Sequence, residues 1–294
     1  MPIDPQDLGA ETAIDAVLLA ATSAFLFGAM TVAIRVALGK GAGAEAGALF
    51  TVLAALAFAA PFAAVQGGEL GGAWPFLLAG LLGPGLSQIL FTLAVREAGP
   101  SRTSVVVGTA PLFTVALAVV FLDEPLEAGL VAGAVLIVAG GLLLVGERGR
   151  PGHVRAIGLV LALGATVVFA VRDTLLRRLA IDTDVAPGVA AAVTLAAGAA
   201  LIAVYVLASR APLRRSDARA FLPAGALFGL SYVCLFEAYY RGLVTVVSPL
   251  VATESLWGVV LSAVVLGRSE RVGPRLVAGA LLVVSGGVLI GSFR

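Results

Sequence analysis

Long apolar runs, broken by short charged connections, organise this chain from end to end. A helix needs about 20 apolar residues to cross the hydrocarbon core of a bilayer. Runs of that order fall at residues 14–38, 44–65, 73–95, 102–121, 128–145, 156–178, 186–208, 220–240, 244–266 and 273–291. The connections hold nearly all the charge, and the longest are 146–155 and 209–219. Around the fourth run the breaks come from turn chemistry, at Gly99-Pro100 and Asp123-Glu124-Pro125. The pattern predicts an all-α membrane protein of ten transmembrane helices, with no room for a soluble domain. Composition sharpens this. Of the 294 residues, 60% are hydrophobic and 13% charged, about half the charge of a soluble domain. So few charges do not cover a water-facing surface of this size.

The second half repeats the first. Leu130-Val131-Ala132-Gly133-Ala134 returns as Leu276-Val277-Ala278-Gly279-Ala280, and Gly140-Gly141 returns as Gly286-Gly287. Upstream the offset is shorter by two residues: Ala94, Thr109, Leu112, Leu117 and Leu122 fall on Ala238, Thr253, Leu256, Leu261 and Leu266. Phe27 aligns with Phe169, and Arg35 with Arg177. The two units are residues 1–146 and 153–294, with five spans each. An odd number of spans makes the second unit enter the membrane from the opposite side. The repeats are therefore expected to be inverted, related by an axis in the membrane plane, the plan of carriers that bind cargo between their halves.

Loops alternate sides, and the charges divide unequally between them. Fourteen Lys and Arg, from Arg35 to Arg275, lie on one side. Four (Arg177, Arg178, Arg241 and Arg294) lie on the other, and Arg172 lies inside a span. The positive-inside rule makes the arginine-rich side cytoplasmic, so both termini are expected outside the cytoplasm. Residues 1–15 carry acids and no Lys or Arg, unlike a secretory signal, and the first span is expected to be retained. The expected location is the inner (plasma) membrane, multi-pass.

Several chemistries lack their residues. Cys234 and His153 are each alone, which leaves no disulfide, no thiolate or histidine metal site, and no Ser–His pair. No GxxxxGK[ST] loop is present, so ATP is not the motor. A net charge of +1 offers nothing to nucleic acid. We expect no enzyme activity and no cofactor. The expected partners are a small-molecule substrate and the lipid bilayer; the oligomeric state is open and compatible with a monomer.

A charge at the centre of a bilayer costs about 2.5–3.5 kcal/mol to insert and needs a reason. Glu254, near the middle of the ninth run, is the clearest case. With Trp257 one turn on, it can hold a cationic or amino group by ion pairing and cation–π attraction, or carry a proton. The structural alternative is a neutral Glu hydrogen-bonded to a neighbouring helix. Arg172-Asp173 in the sixth run either meets Glu254 or a substrate carboxylate, or snorkels to the helix end beside Arg177 and Arg178. Gly83-Pro84-Gly85, followed by Ser87 and Gln88, interrupts the third run. It is either a kink lining a cavity or a packing kink. Phe27, Tyr232 and Glu237 are candidates for the cavity wall, against core packing for the rings and an interfacial belt for Glu237 with Tyr239 and Tyr240.

Leu122-Asp123-Glu124-Pro125-Leu126 followed by Gly133 and Gly140-Gly141, its second copy around Glu270, and Phe27-Gly28 in the first span resemble the drug/metabolite transporter superfamily, EamA type. The likeness covers the whole chain. It implies ten helices in two inverted five-helix repeats, a central cavity, and alternating access by a secondary transporter that moves a small amino-acid-like or other metabolite, with export as the expected direction. One branch of the superfamily exports aromatic amino acids. The charge distribution departs from the cytoplasmic termini often drawn for it. Alternatives are an organic-phosphate or nucleotide-sugar antiporter, a flippase for lipid-linked substrates, and a membrane scaffold that transports nothing.

Overall fold

The computed structural model describes residues 10–68, 71–113, 128–145, 154–181, 183–242, 247, 250–270 and 272–292. Helices account for nearly all of them: α1 (Ala10–Gly39), α2 (Ala44–Gln66), α3 (Trp74–Gly80), α4 (Ser87–Ala98), α5 (Pro100–Val107), α6 (Ala128–Val145), α7 (Ala156–Ile181), α8 (Pro187–Ala208), α9 (Arg215–Arg241), α10 (Glu254–Leu266) and α11 (Pro274–Ser292). Among the described residues, six helical stretches are long and apolar enough to cross a membrane, and three more are shorter. The helices of the last three spans and of the third carry apolar side chains outward, with Val264 76% exposed. Such a surface suits lipid, where every backbone polar group must find its partner inside the chain, as a helix provides. Asp123-Glu124-Pro125, His153, Pro249 and the second half of the fourth predicted span lie outside the described residues.

The glycines of the repeat show how the halves are related. A Cβ on Gly133 would lie 2.7 Å from the Gly286 carbonyl oxygen, and one on Gly286 would lie 2.5 Å from the Gly133 oxygen. Gly140 and Gly279 face each other in the same way, at 2.6 and 3.0 Å. Gly133 is the sequence twin of Gly279, and Gly140 the twin of Gly286. Each glycine thus meets the twin of the other, and the contact moves up α6 as it moves down α11. Equivalent helices that cross antiparallel with reciprocal contacts require a twofold axis perpendicular to them. The repeats are inverted. Only glycine lets the two backbones come this close, so Gly133, Gly140, Gly279 and Gly286 form the seam.

The other contacts obey the same exchange of halves. α1 packs on α9 as α4 packs on α7. α1 meets α10 as α5 meets α7, and α2 lies along α8. Phe27 and its twin Phe169 touch each other, with ring centroids 6.0 Å apart. Gly225 and Gly229 on α9 let it close onto α2, where a Cβ at Gly229 would lie 2.5 Å from the Ala55 oxygen. Buried Ser23 and Ser231 exchange hydrogen bonds across α1 and α9 at 3.0 Å, so their polar groups are satisfied between helices.

The loops sort into two ends as the charge alternation predicts. Arg96 reaches Glu45 at 3.0 Å, Arg155 reaches Glu97 at 3.0 Å, and Arg35 reaches Glu270 at 3.2 Å, all at the arginine-rich end. At the opposite end the Gln66 amide donates to Glu237 and its oxygen accepts from the Gly188 N–H at 2.7 Å. Arg241 pairs with Glu237 there at 2.8 Å.

Candidate functional site

Two helix interruptions build the centre of the molecule. The first is in the third span. Pro84 has no N–H to give, and Gly83 leaves the helical region at φ −141°, ψ 120°, so the chain between α3 and α4 passes through a wide turn at Leu81–Leu86. Gly198 on α8 makes room for the proline, since a Cβ there would lie 2.6 Å from Pro84 Cγ. The second interruption occurs in both repeats. The Thr109 hydroxyl donates to the Val106 carbonyl at 2.6 Å, and its twin Thr253 donates to the Leu250 carbonyl at 2.6 Å. In each copy the threonine's own N–H also donates to that carbonyl, at 3.0 and 3.1 Å, so the break closes as a tight turn. The residue after the break is Ala110 in the first copy and Glu254 in the second. Glu254 therefore opens α10, at the positive end of that helix's dipole, where a carboxylate is favoured.

Arg172 on α7 lies in the bend of the third span. A Cβ on Gly83 would be 3.1 Å from Arg172 Cγ and 3.1 Å from Ser87 Oγ. Alanine at Gly83 would crowd the guanidinium's stem. The Arg172 side chain is buried and its Nη1 donates to the Tyr232 hydroxyl at 2.5 Å. The guanidinium carbon stands 5.1 Å from the Phe169 ring centroid and 5.5 Å from that of Tyr232, within cation–π range of both. Its Nε lies 2.9 Å from Asp173 Oδ1, but the contact is off the N–H axis and forms no hydrogen bond. Neighbouring residues on a helix point about 100° apart, which explains the skew.

Glu254, Asp173, Tyr232 and Tyr239 all lie close enough to Arg172 to feel its charge, and Glu254 feels that of Asp173. Arg172 turns inward, against Tyr232 and Phe169, and does not snorkel. One cation faces two carboxylates here, and both acids keep partial exposure. The Asp173 side chain is 25% exposed, and Glu254 is intermediate. The aromatic floor beneath them is dry. Phe27 touches Phe91, Phe169 and Phe228, and Phe228 stacks edge-on to Tyr232 at 4.8 Å.

The remaining predicted residues take different places. Ser87 and Gln88 are fully buried at the start of α4. Gln88 donates to Thr92 at 3.3 Å, while Gln88 Oε1 and Ser87 Oγ have no hydrogen-bond partner among the described residues. Trp257 stands apart from Arg172: it is 38% exposed and packs edge-on to Phe25, 5.2 Å away, itself exposed. Phe25 lies two residues from Phe27 and so on nearly the opposite side of α1. Glu237 is 7% exposed and held by Gln66 and Arg241. Sequence reasoning placed Tyr239 in an interfacial belt and passed over the pairing partners of Glu270. The reciprocal break at Thr109 and Thr253 was the available signal for the position of Glu254. No group of three or more His, Cys, Asp or Glu among the described residues is placed to hold a metal.

Known proteins agree with this architecture. The family model described as the EamA-like transporter family matches twice, at residues 15–146 and 156–292. No curated protein matches. Among solved structures, 26 chains match. One crystal structure, described only as that of a protein, aligns over 94% of this chain and 96% of its own length. It has 22% identity and a TM-score of 0.67, which speaks to the fold alone. Two family matches together spanning nearly the whole chain, on an inverted all-helical frame, place the protein: it belongs to the EamA-like transporter family and is a multi-pass membrane transporter of small molecules.

Proposed function

We propose that the protein is a secondary transporter that moves a small amino-acid-like or related metabolite by alternating access, in the direction of export, across the inner membrane. The observation that carries this reading is the mixed-charge site on an aromatic floor: Arg172 against Phe169 and Tyr232, with Asp173 and Glu254 partly exposed beside it. A guanidinium whose ion pair is skewed is a ready acceptor for a cargo carboxylate, which forms the aligned, bidentate contact that Asp173 does not. Glu254 supplies the complementary charge for an amino group or a proton, one at a time. The rings below suit an apolar cargo body. Among the described residues the site offers one buried guanidinium beside two carboxylates, a poor match for a phosphate ester, which needs clustered cations. The arginine excess in the loops supports a cytoplasmic position for that end, with both termini outside.

The test begins with thermal-shift screening of the purified protein against amino acids, nucleosides and organic cations, since a ligand of the native state raises its melting temperature. Tracer flux of the best ligand is then compared between the native chain and Glu254→Gln in proteoliposomes. The expected result is a loss of flux and of its pH dependence. Native flux with unchanged pH dependence in Glu254→Gln would remove Glu254 from the mechanism.

A further inference from the structure

A second buried charge cluster joins the two halves at the arginine-rich end, and the reading above leaves it unused. Glu270 follows α10, in the second repeat, and its side chain is 0% exposed. Among the described residues, two that pair with its carboxylate, Arg35 and Arg102, come from the first repeat. Arg35, near the end of α1, places Nε 3.2 Å from Oε1, and Arg102, in the first turn of α5, places Nη1 3.6 Å from Oε2. Arg102 is only 1% exposed and also donates to the Glu270 backbone carbonyl at 3.2 Å. Arg35 further reaches the Arg96 carbonyl at 3.5 Å.

The notch that receives the carboxylate is made by Gly99. This residue sits between α4 and α5 at φ +81°, a conformation that side chains with a Cβ rarely adopt. A Cβ there would also lie 2.9 Å from Glu270 Oε1. Backbone conformation and space both reserve the position for the acid of the other half.

The geometry ties this cluster to the centre. α10 runs from Glu254 to Leu266, about 20 Å, and the turn Gly267–Ser269 carries the chain on to Glu270, so one helix and one short turn link the two acids. α5, which carries Arg102, lies antiparallel against α10. Ser104 fits against Gly258, and Gly108 against Ser255, where a Cβ on Gly108 would be 2.6 Å from Ser255 Cβ. The seam between repeats is thus zipped from the central break to Glu270. An ionic closure suits a seam that must part. Water rehydrates all three charges on opening, so a buried ion pair adds little net stability while fixing the register of what it joins.

We propose that Glu270, seated at Gly99 between Arg35 and Arg102, is the latch that holds the arginine-rich end of the transporter shut. Its release lets α10 move away from α5 and opens that end toward Glu254. The proposal rests on the transport reading, but its test needs no cargo.

Cys234 is the sole cysteine. In a Cys234→Ser background, Ser104→Cys places a thiol in the zipped seam. Exposed Ser216, at the same end, carries the reporter Ser216→Cys in a parallel chain. A membrane-impermeant maleimide is added separately to each face of oriented vesicles. Labelling of Ser216→Cys identifies the face at the arginine-rich end. From that face, Ser104→Cys is expected to label slowly, and Glu270→Gln to speed the labelling about tenfold as the open population rises. Glu270→Asp should fall between the two. Glu45→Gln, which cuts an ion pair within the first repeat only, should change nothing. If Glu270→Gln does not fold, Arg35→Gln removes one arm of the latch and should give the same direction. Equal labelling with and without the latch in a folded variant, or the same gain from Glu45→Gln, overturns the proposal. Failure of the transport reading looks different: flux is then indifferent to Glu254→Gln while the labelling still responds to Glu270.

Discussion

Two clusters of Arg and acid lie inside this protein and are built to opposite rules. At the arginine-rich end one carboxylate meets two guanidiniums, the acid is wholly buried, and a glycine notch holds it in place. At the centre, among the described residues, Arg172 lies beside Asp173 and within electrostatic reach of Glu254, and both acids keep partial exposure. The first joins the two repeats, and what surrounds Glu270 leaves no room for a guest. The second draws Arg172 and Asp173 from α7, Tyr232 from α9 and Glu254 from α10, and has charge to offer. Desolvated charges need full pairing to be tolerated. Acids that keep partial exposure beside a buried guanidinium are the better candidates for binding.

The sharpest way to break the contrast is to neutralise one acid in each cluster. Glu254→Gln should lower flux about 10- to 100-fold, equivalent to losing a charge-assisted contact of ~1.5–3 kcal/mol. The melting temperature should hold or rise, because a partly paired charge has been removed. Arg172→Ala should lower cargo affinity by a similar factor and, unlike Glu254→Gln, destabilise the protein by about 2–3 kcal/mol. It strips the cation from two rings and the Tyr232 hydroxyl. Thermal unfolding beside ligand titration separates the two variants.

Smaller effects sharpen the other side. Gly99→Ala forces a Cβ into a left-handed backbone and against Glu270, and should destabilise by about 1–3 kcal/mol. It should also speed maleimide labelling of the seam without altering cargo affinity. Glu45→Gln sets the floor. Its pair with Arg96 is solvent-accessible, 29% and 40% exposed, and should be worth under about 1 kcal/mol, with no change in flux.

Much of this was legible in the chain, and the reasons are specific. Gly133, Gly140, Gly279 and Gly286 marked the repeat in the sequence, while their close seam came only from the structure. Odd spans per repeat announced the inversion. Glu254 was legible because a mid-membrane acid is expensive in any fold. Trp257 shows where helical spacing runs out. A residue three positions on is offset by about 60°, which is enough to place its ring over Phe25 while Glu254 turns toward Arg172. Glu270 was visible only as the twin of a loop acid. Nothing in a linear reading shows that Arg35 and Arg102, which are 235 and 168 residues away, meet it.

The sequence by itself determined the solvent of this protein, its duplicated plan and the sidedness of its charge, since these follow from hydropathy, periodicity and counting. Only the tertiary structure decided which charges meet. Pairing depends on how helices from opposite repeats cross, and those crossings are set by glycine contacts and helix breaks summed over the whole bundle. The acids thereby lie wholly buried between the repeats at one end and partly exposed at the centre.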